Sequence, residues 1–428
     1  MSAKVLWIAL AILCAAGTWL YAYRVLIPEQ IAYAAAHGLP RGNFSDLYPR
    51  WVGARELLLR GRDPYSAEVR REIQMGFYGR VLPPDPGQKE NYQQGFYHPV
   101  YIAFLLAPTL KLPFESVQRG FFWLLLGLTV VGVLLWLRLL RWRLPLWEQA
   151  VMIILTLGSL PVMQGLKLQQ MTLLVIPLIA AALVLLAGDR PVSAGILLAL
   201  ATIKPQLVLF VLYWLTLWTM ADWRRRYRWA VSFLLSLAIL CAGSEYYLPH
   251  WILRFWRSIH EYRSYTGEMA STAVLIGGWS RAVELLAFAL MTAICWRERR
   301  PGASSEAFAL AASLVLAMTV LLVPSYGPYN QALLIPALLM VLKEGRAMWG
   351  RSFVNRGLLI TTICLVGWPW LACASLAGLS FVLPPETVER GWASAFWTTL
   401  LIPVAVAAAM LVCAWQRSFA ASNRAATS

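Results

Sequence analysis

Apolar runs long enough to enter a bilayer recur along this chain. One long polar stretch, roughly residues 28–97, interrupts them directly after the first. A bilayer core of ~30 Å takes ~20 apolar residues per helical crossing. Only helices and closed barrels satisfy their backbone there. The first run is 5–22, and others follow at about 121–137, 149–163, 171–187, 192–203, 206–220, 229–243, 273–295, 307–323, 330–342, 357–378 and 395–415. The expected fold is therefore all-α and polytopic, with about 12 transmembrane helices. Several runs fall short of a full crossing and are expected to tilt, break or end in interfacial aromatics. With 59% hydrophobic and 14% charged residues, the chain sits far from the ~25% charged of a soluble domain. Run 5–22 is long for the apolar part of a cleaved signal and no small-residue cleavage site follows it, so residues 1–27 are expected to form a retained first helix. The six cysteines lie in or beside apolar runs without metal or redox spacing, and read as free thiols.

Charge sets the expected topology. Asp222–Arg228, Trp296–Arg300, Lys343–Arg356 and Arg138–Arg143 are short basic connections that favour the cytoplasmic side. All four fall there if residues 98–112, which contain Pro99, Pro108 and Lys111, form a short re-entrant helix rather than a crossing. Both termini are then cytoplasmic. The outer face carries the 28–97 loop, 164–170, the region of Lys204, and loops 244–272, 324–329 and 379–394. The net charge of +16 reads as topology and lipid contact, not nucleic-acid binding, because the basic residues are scattered.

The outer loops hold the candidate chemistry. After Pro49, Trp51, Ala54, Leu57 and Leu58 recur at helical spacing. They predict a surface helix with Arg50, Arg55 and Arg60 facing headgroups, ended by Gly61 and turned by Asp63-Pro64-Tyr65. Asp46 stands at its entrance and reads either as a general base or as a helix cap or Asx turn. Lys204-Pro205 separates two apolar runs, so its lysine is either a phosphate-binding cation or a snorkelling one. Gln164–Thr172, with Lys167, Gln169 and Gln170, suits sugar hydroxyls or phosphate, or simply connects helices. Arg254, Arg257 and His260 share one helix face, with Arg263 beyond. That face reads as anion-binding or as solvated. No nucleotide-binding loop, HExxH or zinc spacing occurs. The carboxylate pairs that a cation-coupled transporter often carries along its spans are also missing.

Phe44–Tyr65, Tyr97–Phe114, Gln169–Leu174 and Arg190–Pro205 together resemble, in order, glycosyltransferase family 87, membrane transferases of the GT-C class that use polyprenol-phosphate sugars. The resemblance covers roughly 44–220, with His98-Pro99 standing where the family commonly has two prolines. Beyond 220 only hydropathy is compatible. The resemblance implies a GT-C-like fold in which 28–97 is the catalytic outer loop, with interfacial helices. Residues 98–220 would form the family-like membrane core and 221–428 the further transmembrane helices. It implies a hexosyl- or pentosyltransferase of a bacterial inner membrane, working on the periplasmic or extracellular side. Asp46 would be the base, with Lys204, Arg257, His260 and Arg263 on the donor phosphate. Tyr48, Asp63, Tyr65, Tyr97, His98, Gln169, Gln170 and Tyr326 would contact sugar or acceptor. The donor would be a polyprenyl-phosphate sugar, mannose by family default, and the acceptor an envelope glycolipid or glycan. Transfer would invert the anomeric centre, and no cofactor or metal is required. A transporter or flippase of lipid-linked sugars is the alternative from another class, but it calls for internal repeats and mid-membrane polar residues that the sequence does not display.

Overall fold

The computed structural model describes residues 2–36, 45–81, 94–266, 271–324 and 327–426. Among them all regular structure is helical. Helix α1 (Ala3–Tyr21) runs through a π turn (Ala22–Leu26) into α2 (Ile27–Ala36). The helix thus continues well past residue 27, where the polar loop was expected to begin. The π turn lies just before Pro28, whose ring and missing N–H disrupt an α ladder. Arg24 in this turn donates to the Ser380 carbonyl, 3.3 Å away.

The polar loop folds into α3 (Leu47–Arg60) and α4 (Ala67–Tyr78). Gly61 ends α3 at φ +64°, a left-handed position that glycine takes without a Cβ penalty. Asp63 Oδ1 accepts from the Tyr65 N–H at 2.9 Å, and Ser66 caps α4. Arg60 and Arg62 both reach the fully buried Glu56 at 3.1 Å, and Arg62 also reaches Glu72 on α4 at 2.5 Å. The sequence reading of this helix is corrected at Arg50, while Arg60 stays exposed. Nine of the fourteen residues of α3 are buried, among them Arg50, which is only 6% exposed and is turned inward rather than outward. A hydrophobic stripe describes one buried face, but it cannot exclude burial of the polar face by other segments.

A five-residue α5 (Ile102–Leu106) and a 3-10 turn (Ala107–Thr109) follow. At 1.5–2 Å of rise per residue this segment is far too short to cross. The chain continues through α6 (Phe114–Leu139), α7 (Leu146–Leu157), α8 (Leu160–Lys167), α9 (Thr172–Ala187), α10 (Pro191–Ala201), α11 (Pro205–Met220), α12 (Trp223–Tyr247) and α13 (Trp251–Thr266). Then come α14 (Ser271–Ile276), α15 (Ser280–Arg297), α16 (Glu306–Leu322), α17 (Ile335–Arg351), α18 (Phe353–Leu379), α19 (Pro385–Glu389), α20 (Trp392–Phe396) and α21 (Leu401–Ala426). A 3-10 turn, Pro328–Leu334, leads into α17.

Six segments of the described residues are long and apolar enough to cross a membrane: Ala3–Ala36, Phe114–Leu139, Trp223–Tyr247, Thr272–Arg297, Phe353–Leu379 and Pro385–Arg417. A seventh arises if α7 and α8, bent by 60°, count as one. The protein is a multi-pass membrane protein. The four shorter apolar helices α9, α10, α11 and α16, of 10–17 residues, correspond to runs expected to fall short of a full crossing, so length and composition alone do not reach the expected dozen. Helix α16 is the central post, with every residue from Phe308 to Leu321 buried. Helices α10 and α12 press together so closely that a Cβ on Gly195 would lie 2.3 Å from the Trp229 carbonyl oxygen.

The break between α7 and α8 is held from outside. Trp19 and Trp370 donate to the Leu157 and Gly158 carbonyls at 3.1 and 2.9 Å. These bonds satisfy groups that a broken helix leaves open, and they aim the end of α8 toward α3.

Candidate active site

Asp46 precedes α3 with no side-chain capping bond. Its carboxylate instead faces another segment. The Asp46 N–H donates to the Leu168 carbonyl at 3.1 Å, which ties the start of α3 to the end of α8. Past that end the chain turns sharply, with Gln169 at φ +45°. The turn presents Gln170, whose amide Nε2 donates to Asp46 Oδ2. Gln170 Oε1 in turn accepts from Lys204 Nζ at 3.0 Å, and Lys204 also donates to Thr172 Oγ1 at 2.9 Å. Thr172 passes the chain on to Asn330 Oδ1 at 2.7 Å. The Lys204 ammonium lies 5.0 Å from the centre of the Tyr329 ring, within cation–π range.

Lys204 reaches this position because α10 stops at Ala201 and Pro205 opens α11, proline being suited to a first helical position. The Tyr101 hydroxyl donates to the Thr202 carbonyl at 2.9 Å and steadies the break. Lys204 is 6% exposed, so it does not snorkel. A buried ammonium with fixed acceptors is costly unless it is used or paired.

On the other side of Asp46 stands Arg50, one helical turn on. Its Nη1 donates to the Asp46 carbonyl at 2.6 Å and its Nε to His98 Nε2 at 2.9 Å. Arginine can only donate, so His98 Nε2 is the bare nitrogen and Nδ1 carries the proton. Burial, then the charges of Arg50 and Lys204, hold the imidazole well below its usual value, which keeps it neutral near pH 7. His98 Nδ1 is buried with no hydrogen-bond partner among the described residues. The same is true of Ser45 Oγ, Gln164 Oε1 and Gln169 Oε1 on the segments that meet here. Buried polar atoms are ordinarily satisfied, so these atoms have hydrogen-bonding capacity to offer a ligand.

Burial raises the Asp46 carboxyl above the ordinary carboxylate range, against the opposing pull of Arg50, Lys204 and the Gln170 amide. Among the described residues no cation lies within the 4.0 Å of an ion pair with it. A desolvated acid without a direct ion pair is a competent proton acceptor. Its ionised form must exist for that, so the rate should rise with pH through its pKa. Arg50→Gln removes a cation that lowers this pKa. The acid limb of the pH–kcat/KM profile should therefore move to higher pH; a limb that stays or moves lower would dismiss Arg50 as an electrostatic partner.

The structure thus brings together Asp46, His98, Gln170 and Lys204 of the residues expected from sequence. Tyr97 packs against Tyr262 with the rings tilted by 44° and their centres 4.8 Å apart, and Tyr262 and Tyr329 both act on the Arg50 charge. Tyr65 donates its hydroxyl to the His98 carbonyl at 2.6 Å. Gln169 shapes the turn and donates to the Leu166 carbonyl at 2.6 Å rather than reaching Asp46. Tyr48 packs edge-on to Phe114 at 4.9 Å and against Phe77 and Trp51. Asp63 pairs with Arg254. Arg257 lines a separate cavity, while His260 and Arg263 are exposed on α13. Tyr326 lies outside the described residues. Sequence reasoning missed Arg50, Thr172, Tyr329 and Asn330. The i,i+4 spacing of Asp46 and Arg50 was a usable signal. For Asn330 there was none. Among the described residues no group of three or more His, Cys, Asp or Glu could hold a metal ion.

A multi-pass helical membrane protein in which a half-buried acid, two buried cations and unsatisfied polar atoms sit on segments that meet has the framework of a membrane enzyme. The model of glycosyltransferase family 87 matches residues 96–325, more than half of the chain, and the chain belongs to that family. It is accordingly a membrane glycosyltransferase, using a sugar donor and an acceptor. The match takes in His98, Gln169, Gln170, Lys204, Arg257, His260 and Arg263. It extends well past residue 220, where sequence inspection found only compatible hydropathy. Asp46, Tyr48, Arg50, Asp63 and Tyr65 precede it. No curated protein and no solved structure matches the chain.

Proposed function

We propose that the protein transfers a sugar, mannose by family default, from a polyprenyl-phosphate donor to an envelope glycolipid or glycan on the outer face of a bacterial inner membrane. The observation that carries this reading is the hydrogen-bonded run Asp46–Gln170–Lys204, which joins a half-buried acid to a buried cation through one amide side chain. Asp46 takes the proton of the acceptor hydroxyl as that oxygen bonds to the anomeric carbon. The bond from the anomeric carbon to the phosphate oxygen breaks on the opposite face, and polyprenyl phosphate leaves. One displacement inverts the centre. Lys204, with Arg50 near it, meets the charge that grows on the leaving phosphate, so a single phosphate needs no metal. The His98 Nδ1–H and the unsatisfied oxygens nearby are suited to sugar hydroxyls.

Purified protein given a panel of radiolabelled polyprenyl-phosphate sugars should release polyprenyl phosphate, fastest from the mannose donor. Failure to turn over every donor in the presence of envelope lipid extract would reject the donor class and revive carriage of lipid-linked sugars without chemistry.

A further inference from the structure

Asp46 and Arg50 stand four residues apart at the start of α3, the spacing at which an acid and a following arginine pair on a helix face. Here they do not pair. Arg50 Nη1 donates to the Asp46 backbone carbonyl at 2.6 Å, and among the described residues no ion pair joins the guanidinium to the carboxylate. The carboxylate belongs to the same residue as that carbonyl, so a small swing of the arginine would bring its fork onto the acid.

One contact opposes the swing. His98 Nε2 accepts from Arg50 Nε at 2.9 Å. A guanidinium is a rigid planar fork, so fixing Nε also fixes the direction of both Nη groups. His98 is itself anchored. The Tyr65 hydroxyl donates to its backbone carbonyl at 2.6 Å, and the Ile102 N–H donates to the carbonyl of the next residue, Pro99, at 3.1 Å. The contact needs a neutral ring, because a protonated imidazole has no nitrogen left to accept. Burial, with the charges of Arg50 and Lys204, maintains that neutral ring. The other groups that bear on the three side chains are Lys204, on Asp46 and His98, and Tyr262 and Tyr329, on Arg50. Substitution at position 98 removes none of them.

We propose that His98 is a positioning residue: by holding the Arg50 guanidinium at Nε, it keeps that cation from closing an ion pair on Asp46 and leaves the carboxylate available as a base. This rests on the reading of Asp46 as the base. A carboxylate in direct contact with an arginine loses proton affinity, and its lone pairs are taken by a strong, often bidentate, contact. Held one step back, the same cation favours the ionised acid without occupying its oxygens.

The full chain in nanodiscs is measured in two ways across pH. Infrared difference spectra follow the protonated carboxyl band of Asp46, assigned by its absence from Asp46→Asn, and kinetics follow kcat and kcat/KM. His98→Leu fills similar space and accepts nothing. In His98→Asn the amide ends near the Nδ1 position, short of Arg50. Both should move the infrared midpoint and the acid limb of kcat/KM to lower pH. Both should also lower the plateau kcat at least about 10-fold, a part of the 10²- to 10⁴-fold that a positioned base supplies. His98→Gln, whose amide oxygen reaches the Nε2 position, should keep the wild-type midpoint and most of the rate. Adding Arg50→Gln to His98→Leu should abolish the move to lower pH, because no cation remains to swing. Equal thermal midpoints verify folding, and either of the first two variants is sufficient. A midpoint that stays or rises in a folded variant overturns the proposal, and so does an equal fall in His98→Gln. Should Asp46→Asn still transfer sugar, the reading of the base falls, while the infrared midpoints still decide whether His98 holds Arg50 off the carboxylate.

Discussion

Asp46→Asn should abolish detectable sugar transfer while the protein still accumulates in the membrane. A positioned general base contributes about 10²- to 10⁴-fold, and asparagine removes it with almost no change in volume. The amide oxygen of asparagine can still accept from Gln170 Nε2, so the contact between α3 and the α8 turn survives. The substitution should not unfold the site, because burial penalises the charged carboxylate and a neutral amide escapes that penalty. The measurement is transfer from a radiolabelled polyprenyl-phosphate sugar, normalised to the amount of protein in the membrane. Activity near wild type would remove Asp46 from the chemistry and return it to a role in joining segments. Loss of both protein and activity would mark it as structural.

Lys204→Met should be nearly as damaging, but through a different kinetic parameter. Lys204 is buried among Gln170, Thr172 and the Tyr329 ring. Methionine fills similar space without charge. A charge-assisted hydrogen bond is worth about 1.5–3 kcal/mol, which is about 10- to 100-fold in donor affinity, and any strengthening toward the leaving phosphate adds a fall in kcat. Removal also takes away a cation that lowers the Asp46 pKa, so the acid limb should move to higher pH. Lys204→Arg should not restore the site, because the planar fork does not fit the acceptors arranged around a point charge. Initial rates against donor concentration, across pH, test both statements. An unchanged donor KM with an unchanged limb would assign Lys204 to packing alone.

The two variants probe residues whose neighbourhood arises at different levels. That Asp46 stands before a helix, and that Lys204-Pro205 lies between apolar runs, follows from local patterning. The neighbours of each do not. Asp46 meets Gln170 across 124 residues of chain, and Gln170 meets Lys204 across 34. Arg50 was read as a headgroup contact because amphipathic spacing describes one helix at a time. In the folded chain it donates to His98 and faces Tyr262 and Tyr329, all from segments distant in sequence. Arg257 was grouped with the donor site because it shares a basic helix face with His260. In the folded chain it lines a cavity of its own with Asp63 and Arg70.

Hydropathy likewise counts apolar residues without knowing what covers them. Helix α16 is as apolar as a lipid-facing span, yet it is sheathed by protein. Helix α10 ends after eleven residues, just before Lys204. Apolar run lengths, proline positions and basic connections were enough to determine a helical, multi-pass protein with one polar segment set apart, because bilayer thickness and backbone satisfaction leave few other choices. Which polar residues meet was decided only by the tertiary structure. Bends at Gly158 and Lys204, each held by distant side chains, bring three separate segments to Asp46, and no local pattern encodes that meeting.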